Sequence, residues 1–425
     1  MKKILALLLA VLMIVSMAAC SSGGNDTPDA GNNGNNGNNG NTSDTTYSIR
    51  VWAPTEDLAE GNSWLEAMEK KFEEAHPDYK IEWVNEVMNE GDASAAVTGD
   101  VTASADVYMF ANDQLGSLIT AGGLSKLGGV YLEQVQKDNT EFKVNTVTHT
   151  DGAVYAFPIT NNTWFTYYNT DVFTAEDVKS LDTMLSKGKV CVPFTVGWNS
   201  GCFFLGTGGS VFGPAGNDAS VGIDFGGEKG YTAAKKMIEV ATNPNCVAGG
   251  MDVGKLIDGE VGAAFSGSWS AAELRGALGD KLGVAKLPTF EADGKTYNMT
   301  ALSGTKCVGV NPNSGSVAGK QKICTEFAAF LASEESQLAR YEMRGVIPAA
   351  KALAENEKIK TDPVAIAEME TMDQCAVIQS ALPEMGNYWT PVETFGKGCV
   401  NGDINMDNYQ DMVDQMMEQL NSAGL

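Results

Sequence analysis

The first folded part of the chain alternates apolar and polar residues in a readable order. Residues 47–52 (YSIRVW) alternate with the period of a β-strand. A helix pattern follows, beginning at the capping box of residues 63–66 (SWLE) and ending before Pro77. Residues 80–84 (KIEWV) then alternate again. Strand, helix and strand in this order predict a βαβ unit, and therefore a parallel sheet with helices on both faces.

The same alternation of strand and helix patterns continues to the C-terminus. Further strands are predicted at 106–110, 154–159 and 261–265, and further helices at 113–121, 231–241, 318–332 and 409–420. The last helix carries a methionine-rich apolar stripe, which is typical of a core face rather than of a binding groove. With 425 residues and 43% apolar residues, the chain is too long for one ordinary domain and predicts a two-lobed α/β protein.

The N-terminal residues have the pattern of a bacterial export signal. Lys2 and Lys3 precede an apolar run, Ile4–Val15, which is too short to span a bilayer. Small residues then lead into Cys20, as in the lipobox of bacterial lipoproteins. This pattern predicts removal of residues 1–19 and attachment of a lipid to the Cys20 thiol. A plain secretory signal with a chance cysteine is the alternative.

A Gly- and Asn-rich segment separates Cys20 from the first strand. Its Gly-Asn-Asn repeat offers no apolar side chain to bury, so residues 20–46 are expected to form a disordered linker. A flexible coil of this length spans about 28 Å. That reach suits a tether that holds a folded domain next to the outer face of a membrane, most simply in a Gram-positive cell.

Charge and cysteine content exclude several function classes. The net charge of −25 opposes nucleic-acid binding, which needs clustered Lys and Arg. Seven cysteines follow Cys20 without CxxC spacing, and the chain has two histidines, so neither a metal site nor a cofactor is expected. An odd number of cysteines leaves at least one free thiol, and Cys191 with Cys202 is the best disulfide candidate by proximity.

No catalytic motif stands out. The chain has no GxSxG, HExxH or P-loop motif, and His76 and His149 are expected in surface loops. The chain is therefore not expected to be an enzyme. A glycosidase needs only two carboxylates, so a surface-anchored glycosidase stays open as an alternative.

Tryptophans are the most informative residues. Five of the seven are predicted at strand ends or in loops rich in Gly and Asn: Trp52, Trp164, Trp198, Trp269 and Trp389. Ligands of open α/β sheets bind beyond the carboxyl ends of the strands. Flat aromatic rings stack on the C–H faces of pyranoses, and carboxylates and amides bind their hydroxyls. These tryptophans therefore predict an oligosaccharide site, whereas Trp64 and Trp83 are expected in the core.

Four stretches carry a resemblance to a known family. They are DVYMFANDQLGSLITAGGL (106–124), YAFPITNNTWFTYYNTDVF (155–173), GAAFSGSWS (262–270) leading to GVAKLPTF (283–290), and LPEMGNYW (382–389). Through them the chain resembles the extracellular solute-binding proteins of ABC sugar importers, specifically the maltose/maltodextrin-binding branch, over nearly all of residues 47–425.

The resemblance implies a two-lobed, type II periplasmic-binding-protein-like fold. Each lobe would be a mostly parallel sheet flanked by helices, with hinge strands between the lobes and the sugar in the cleft. The N-terminal lobe is expected at 47–158 and 301–349, and the C-terminal lobe at 159–300 and 350–425.

The resemblance also implies an aromatic wall. Trp269 and Trp389 match stacking tryptophans of the family, and Trp198 matches a stacking tyrosine. Phe110 stands where the maltodextrin branch usually has a tryptophan. These four residues are expected to stack on sugar rings.

Four polar residues are expected to bind sugar hydroxyls. Asp113 matches a family carboxylate, and Glu56 matches an aspartate with the same task. Asn162 stands where the maltodextrin branch has a glutamate, and Gln114 where it has an arginine. Two charged sugar-binding side chains of that branch are therefore replaced by neutral ones here. These replacements are expected to affect which sugar is bound, its chain length and its linkage. They do not change the expected two-lobed architecture.

The implied function is capture and delivery of a sugar. A lipid-anchored, monomeric binding protein would take up an oligosaccharide, most simply maltotriose or a longer malto-oligosaccharide, and pass it to the transmembrane subunits of an ABC permease. A raffinose-type, xylo- or manno-oligosaccharide is an alternative ligand. A glycan adhesin is an alternative role.

Overall fold

A computed structural model of the protein describes residues 45–214, 216–313, 315 and 317–422. The expected signal peptide, Cys20 and nearly all of the linker lie outside the described residues. Within the described ranges, no helix is both long and apolar enough to cross a membrane.

The described chain contains fifteen strands and seventeen α-helices, with short 3-10 helices between them. The strands are β1 (Thr46–Ala53), β2 (Lys80–Val87), β3 (Val107–Ala111), β4 (Phe157–Asn162), β5 (Phe165–Asn169), β6 (Val190–Val192), β7 (Ser210–Val211), β8 (Ile223–Asp224), β9 (Cys246–Ala248), β10 (Ala263–Ser266), β11 (Leu282–Ala285), β12 (Thr289–Ala292), β13 (Lys295–Asn298), β14 (Ala301–Val310) and β15 (Ala376–Ile378).

The helices alternate with the strands through most of the chain. They are α1 (Trp64–Ala75), α2 (Ala93–Gly99), α3 (Leu115–Thr120), α4 (Gly129–Asp138), α5 (Glu141–Thr146), α6 (Leu181–Lys187), α7 (Gly197–Ser200), α8 (Cys202–Gly206), α9 (Gly227–Ala241), α10 (Gly254–Ile257), α11 (Ala271–Leu278), α12 (Lys320–Leu331), α13 (Glu334–Arg344), α14 (Glu357–Lys360), α15 (Pro363–Gln374), α16 (Trp389–Asn401) and α17 (Tyr409–Leu420).

The first large sheet has six strands in the order β15-β14-β3-β1-β2, with β4 also paired to β14. β1 pairs in parallel with β2 and β3, as the βαβ pattern predicts. β14 returns antiparallel to β3 and β4. This sheet has its own buried core, and we call it and the helices packed on it the N-terminal lobe.

The second large sheet has five strands in the order β11-β5-β10-β6-β9. β10, β6 and β9 run parallel, and β5 runs antiparallel to both β10 and β11. Two further buried clusters cover this sheet, and we call this part the C-terminal lobe. Both sheets are therefore mixed in direction, which is less parallel than the sequence pattern predicts.

The antiparallel strands lie where the chain passes between the two sheets. β4 ends at Asn162 in the first sheet, and β5 begins at Phe165 in the second. β14 later brings the chain back, and β15 pairs with its first three residues before α16 joins the second core. Residues at these crossings therefore lie near both sheets. This position places them beside any cleft between the lobes.

Local sequence signals explain individual elements. The Ser63 hydroxyl accepts a hydrogen bond from the Glu66 N–H at 3.1 Å, which caps α1 as the SWLE pattern predicts. Trp64 is fully buried in the core, also as expected. In α17, Val413, Met416 and Leu420 are buried, so the methionine-rich stripe is a core face.

None of the seven cysteines after Cys20 forms a disulfide in the part of the chain that the structure describes, and six of them are buried. Cys191 and Cys202 belong to different buried clusters, so the disulfide suggested by their sequence proximity is not formed. Burial raises the pKa of the Cys246 thiol to about 12, which makes even this less buried cysteine a poor nucleophile.

Candidate functional site

Two tryptophans form an aromatic wall beyond the end of β10. Trp269 lies in the turn that follows this strand, and Trp198 lies in α7. Their ring centroids are 6.1 Å apart, with the planes inclined by 31°. Gly267 permits this arrangement because a Cβ at that position would lie 2.0 Å from the Trp269 ring. The two indoles together offer a broad apolar surface of the kind that a sugar ring can stack on.

The aromatic wall lines an open pocket of about 240 Å³. We call it the tryptophan pocket. Its lining residues are Glu56, Glu90, Gly91, Ala111, Asn162, Trp198, Trp269 and Lys306. The indoles come from the C-terminal lobe, and the polar residues come mainly from strand ends of the N-terminal lobe. Four of the residues predicted to bind sugar are therefore brought together here.

A charged pair that the sequence analysis missed also lines the tryptophan pocket. The Lys306 ammonium lies 5.1 Å from the centroid of the Trp269 ring and 3.3 Å from Glu90 Oε1. Burial alone would raise the pKa of Glu90, but Lys306 and Arg340 together hold it below its ordinary value. The pair thus presents fixed opposite charges beside the aromatic wall. A single charged residue, Lys306, within the otherwise uncharged and mostly buried strand β14 was the available sequence signal.

A second pocket adjoins the first at Gly91 and has a volume of about 320 Å³. We call it the aspartate pocket. Its lining residues are Gly91, Ser94, Ala95, Asp113, Gln114, Ser117, Pro383, Gly386 and Trp389. Three residues predicted to bind sugar line this pocket: Asp113 and Gln114 from the N-terminal lobe and Trp389 from the C-terminal lobe. The shared Gly91 makes the two pockets parts of one groove.

The Asp113 carboxyl is the least satisfied polar group in the groove. Its Oδ1 atom is buried and has no hydrogen-bond partner among the described residues. Burial raises its pKa to about 7, and hydrogen bonding with its own backbone and with Gln379 acts in the opposite direction. A buried carboxyl oxygen without a partner is unfavourable, so Asp113, which lines the aspartate pocket, gains from any arrangement that brings it a hydrogen-bond donor.

Gln114 lines the aspartate pocket, but its polar atoms are already used by the protein. Its Oε1 accepts a hydrogen bond from the Ser94 N–H, and its Nε2 donates to the Glu90 carbonyl, both at 2.7 Å. Gln114 therefore holds the start of α2 against the loop after β2. Its contacts are those of a supporting side chain, and the predicted role in binding sugar hydroxyls has no support from them.

Phe110 does not reach the groove. It is fully buried in the core of the N-terminal lobe, where its ring packs 5.9 Å from that of Tyr108. β3 is a central strand covered on both faces, so only the residue at its end, Ala111, lines the tryptophan pocket. The prediction that Phe110 completes the aromatic wall is therefore wrong for this conformation.

Two of the five tryptophans at predicted strand ends also belong to the core. Trp52 is 7% exposed and donates a hydrogen bond from Nε1 to Glu86 at 2.7 Å. Trp164 is fully buried and packs edge-on against Phe265. Position at a strand end alone does not separate a ligand-facing indole from a core indole.

The groove has the chemistry of a binding site. Among the described residues, no group of three or more His, Cys, Asp and Glu side chains could hold a metal ion. What the groove offers is two inclined aromatic rings, a carboxyl with an unpartnered oxygen, and amide and charged groups in its lining. This combination can hold a polyhydroxylated molecule with apolar ring faces.

A family comparison agrees with this geometry. Residues 67–367 match the model of the bacterial extracellular solute-binding protein family. The chain belongs to this family. The family assignment confirms the resemblance found in the sequence and indicates a location outside the cytoplasm. The solute-binding proteins of this family are not themselves enzymes.

Relatives of this solute-binding protein are sugar-binding proteins. A galactooligosaccharide-binding protein of Bacillus subtilis (strain 168) is 26% identical over 358 residues, covering 80% of this chain and 82% of the relative. A solved structure with acarbose is 41% identical with a TM-score of 0.85, covering 89% of this chain and 99% of the other. The maltodextrin-binding protein MalE1 from L. casei BL23, solved without ligand, is 27% identical with a TM-score of 0.80 and covers 89% and 100% of the two chains.

These structural matches confirm the fold class. The two mixed sheets, each with its own core, are the two lobes of a type II solute-binding fold, and the groove opens between residues of both. As a member of this family, the protein is an extracellular solute-binding protein.

Proposed function

We propose that this protein captures malto-oligosaccharides, such as maltotriose and longer chains, and delivers them to an ABC permease. The observation that carries the proposal is the pair of indoles in the tryptophan pocket, Trp198 and Trp269, with ring centroids 6.1 Å apart. Successive glucose rings of an α-glucan curve gently and expose apolar faces, which suit a wall of inclined rings. Similarity to a maltodextrin-binding protein and to a structure with acarbose supports the same ligand class.

The polar groups divide into two sets in this proposal. Glu56 and Asn162 bind hydroxyls of the sugar that stacks on Trp198 and Trp269, and Asp113 binds those of a sugar next to Trp389. One pocket of about 240 Å³ and one of about 320 Å³, joined at Gly91, give room for more than one ring. The ligand is therefore an oligosaccharide rather than a monosaccharide.

The wider role follows from the leader and the family. Lipid attached to Cys20 anchors the mature protein to the outer face of the membrane, and residues 20–46 tether the two lobes, at 47–158 with 301–349 and 159–300 with 350–425. The protein acts as a monomer and hands its cargo to the transmembrane subunits of the permease. It performs no chemistry on the sugar and needs no cofactor.

A second ligand class has one specific observation in its favour. The relative from Bacillus subtilis is a galactooligosaccharide-binding protein, at a similar level of identity to the maltodextrin-binding protein. Asn162 and Lys306 in the tryptophan pocket could select either series, because axial and equatorial hydroxyls meet the same amide and ammonium groups at different angles.

The test is a tryptophan-fluorescence titration of residues 47–425 with two sugar series. Maltose to maltoheptaose forms the first, and galactobiose and longer galactooligosaccharides form the second, with raffinose, xylotriose and mannotriose alongside. The expected result is saturable binding of maltotriose at micromolar concentration, with no response to the galactose series or to raffinose, xylotriose and mannotriose. Binding of only the galactose series would reassign the ligand, and silence across the panel would overturn the proposal.

A further inference from the structure

One side chain that lines neither pocket contacts a residue of each: Trp198 of the tryptophan pocket and Asp113 of the aspartate pocket. Gln379 lies directly after β15, on the segment that crosses to the C-terminal lobe, and is 3% exposed. Its Oε1 accepts a hydrogen bond of 2.6 Å from Nε1 of Trp198. An indole N–H has one direction for donation, so this bond fixes how the Trp198 ring is turned in the tryptophan pocket.

The same side chain reaches the aspartate pocket. The Gln379 side chain lies against Asp113, where it lowers the pKa of that carboxyl against the larger effect of burial. Asp113 Oδ1 is buried and has no hydrogen-bond partner among the described residues, so the contact with Gln379 leaves the carboxyl only partly satisfied. Gln379 thus touches an indole of the C-terminal lobe and a carboxylate of the N-terminal lobe.

The backbone of Gln379 is held firmly in place. Its N–H donates to the Ser303 carbonyl at 2.7 Å, and its carbonyl accepts from Asn112 Nδ2 at 3.1 Å. Asn112 in turn accepts from the Thr305 N–H at 3.0 Å. Gly304 leaves the space for this amide, because a Cβ there would lie 1.9 Å from Asn112 Oδ1. The position of the Gln379 side chain is therefore set by the first sheet.

We propose that Gln379 is a positioning residue that couples the orientation of Trp198 to the carboxylate of Asp113. A ligand that spans both pockets then meets an indole and a carboxylate already set relative to each other. The expected effect on sugar affinity rests on the proposed function. The contacts of Gln379 with Trp198 and Asp113 are present in the sugar-free protein and can be tested there. The coupling makes the buried amide a determinant of affinity without any contact to the sugar.

Two variants separate the two contacts of Gln379. Gln379→Leu removes both the acceptor for Trp198 and the amide beside Asp113. Gln379→Glu keeps an oxygen acceptor for Trp198 and places a second carboxylate beside Asp113. Loss of the acceptor is expected to weaken maltotriose binding by about tenfold, the usual effect of leaving a buried donor unpaired.

Two readouts need no sugar. In ¹H–¹⁵N spectra, the indole N–H signal of Trp198, assigned with Trp198→Phe, is expected to move in Gln379→Leu and to stay near its wild-type position in Gln379→Glu. The pKa of Asp113 is expected to rise in both variants, and further in Gln379→Glu because like charges oppose ionisation. The Cys307 thiol also faces Asp113, but burial raises its pKa to about 12, so it stays neutral throughout.

Gln337→Leu is the matched control. Gln337 is similarly buried, at 2% exposed. Among the described residues its side chain bonds to backbone groups: Nε2 donates to the Ala332 and Pro158 carbonyls, and Oε1 accepts from the Ala350 N–H. This variant is expected to lower the melting temperature while leaving sugar affinity within twofold and the Trp198 signal unmoved.

The outcomes distinguish this inference from the proposed function. An unmoved Trp198 signal in Gln379→Leu, or an unchanged pKa of Asp113, would overturn the coupling even if the protein binds maltotriose. A wild-type protein that binds no sugar would overturn the proposed function, while the two spectroscopic readouts would still decide the coupling. If Gln379→Leu fails to fold, Gln379→Glu alone decides through the pKa of Asp113.

Discussion

Two aspartates that follow neighbouring strands, one fully buried and one half-buried, have opposite surroundings. Asp57, just beyond β1, is fully buried and receives hydrogen bonds from Arg340 Nε at 3.0 Å and from Nη2 at 2.6 Å. Asp113, just beyond β3, has a buried oxygen without any partner among the described residues. Burial raises the pKa of both carboxyls, but a cation opposes this effect only at Asp57.

The same contrast separates the tryptophans around them. Trp64 is fully buried, donates from Nε1 to the Ser336 carbonyl at 3.0 Å, and stacks under the Arg340 guanidinium. Trp269 is only partly buried and leaves a ring face to the groove. We call the first set the closed region (Asp57, Trp64, Arg340) and the second the open region (Asp113, Trp198, Trp269). Residues of the closed region satisfy one another, whereas in the open region one oxygen of Asp113 has no partner among the described residues and the two indoles line the groove.

The largest expected effect is in the closed region. Arg340→Met leaves the Asp57 carboxylate buried without its cation, which typically costs about 3–5 kcal/mol in the free energy of unfolding. Urea unfolding of the sugar-free protein measures this loss. The double variant Asp57→Asn/Arg340→Met is expected to recover part of it, because no buried charge is left alone. A loss below about 1 kcal/mol in the single variant would show that the closed region does not depend on this pair.

Substitution of one tryptophan in each region is the next test. Trp269→Ala is expected to cost about 2–4 kcal/mol of maltotriose binding with little change in melting temperature, because the ring acts on the ligand. Trp64→Ala is expected to lower stability by about 3–5 kcal/mol, because the ring fills the core. Calorimetric titration and thermal unfolding of both variants make the comparison. Trp269→Ala with affinity within twofold of wild type would remove this indole from the site.

The raised pKa of Asp113 predicts that the free energy of unfolding falls as the pH rises, whereas a carboxylate in an ordinary ion pair makes it rise. The unfolded carboxyl ionises near 3.8 and the folded one near 7, so between these values only the folded state keeps the proton. The free energy of unfolding therefore falls as pH rises from about 4 to about 7 and stays lower above that. Asp113→Asn removes this fall, so the variant is expected to be more stable than wild type at pH 8 by an amount on the order of 2 kcal/mol.

Urea unfolding at pH 4.5 and pH 8 measures the difference. Sugar affinity provides the complementary reading: wild-type binding of maltotriose is expected to strengthen from pH 6 to pH 8 as the carboxylate forms, and the Asn variant is expected to lose this dependence. Equal stability of the two proteins at both pH values would mean that Asp113 is not an unsatisfied group.

Glu56 is expected to have the smallest effect. Its side chain is exposed at the rim of the tryptophan pocket, where water competes with any ligand hydroxyl. Glu56→Gln keeps an oxygen acceptor, so maltotriose affinity is expected to fall by about threefold or less. Calorimetric titration at low and moderate salt checks this. A tenfold loss would place Glu56 among the main ligands and weaken the emphasis on buried groups.

The sequence predicted the elements and part of the open region. Alternating and helical periodicity located the βαβ unit and the C-terminal helix, because both patterns are local. Trp269 was predicted because it follows a strand in a stretch that resembles a known family, and Trp198 because it lies in a Gly- and Asn-rich loop and matches a stacking tyrosine of that family. The closed region was not found, since the contact of Asp57 with Arg340 joins residues 283 positions apart and no local pattern marks it.

Phe110 also shows that sequence patterns do not reveal tertiary contacts, here for a residue that was predicted in the site but is buried. The resemblance led us to expect an aromatic side chain in the site at this position. Phe110 is buried instead, in a strand that becomes central because β14, nearly two hundred residues later, pairs with it. Gln114 likewise lies in the groove but is used by Ser94 and Glu90. Whether a polar or aromatic side chain is free for a ligand is decided by its tertiary partners, which periodicity and motif spacing do not reveal.

The most direct test of the account is a calorimetric titration of maltotriose into the wild-type protein and into the variant Trp198→Ala/Trp269→Ala. The account predicts saturable binding at micromolar concentration in the wild type and no measurable heat in the variant, with both proteins folded by circular dichroism. Undiminished binding by the variant, or no binding by the wild type, would contradict the claim that the open region is a malto-oligosaccharide site.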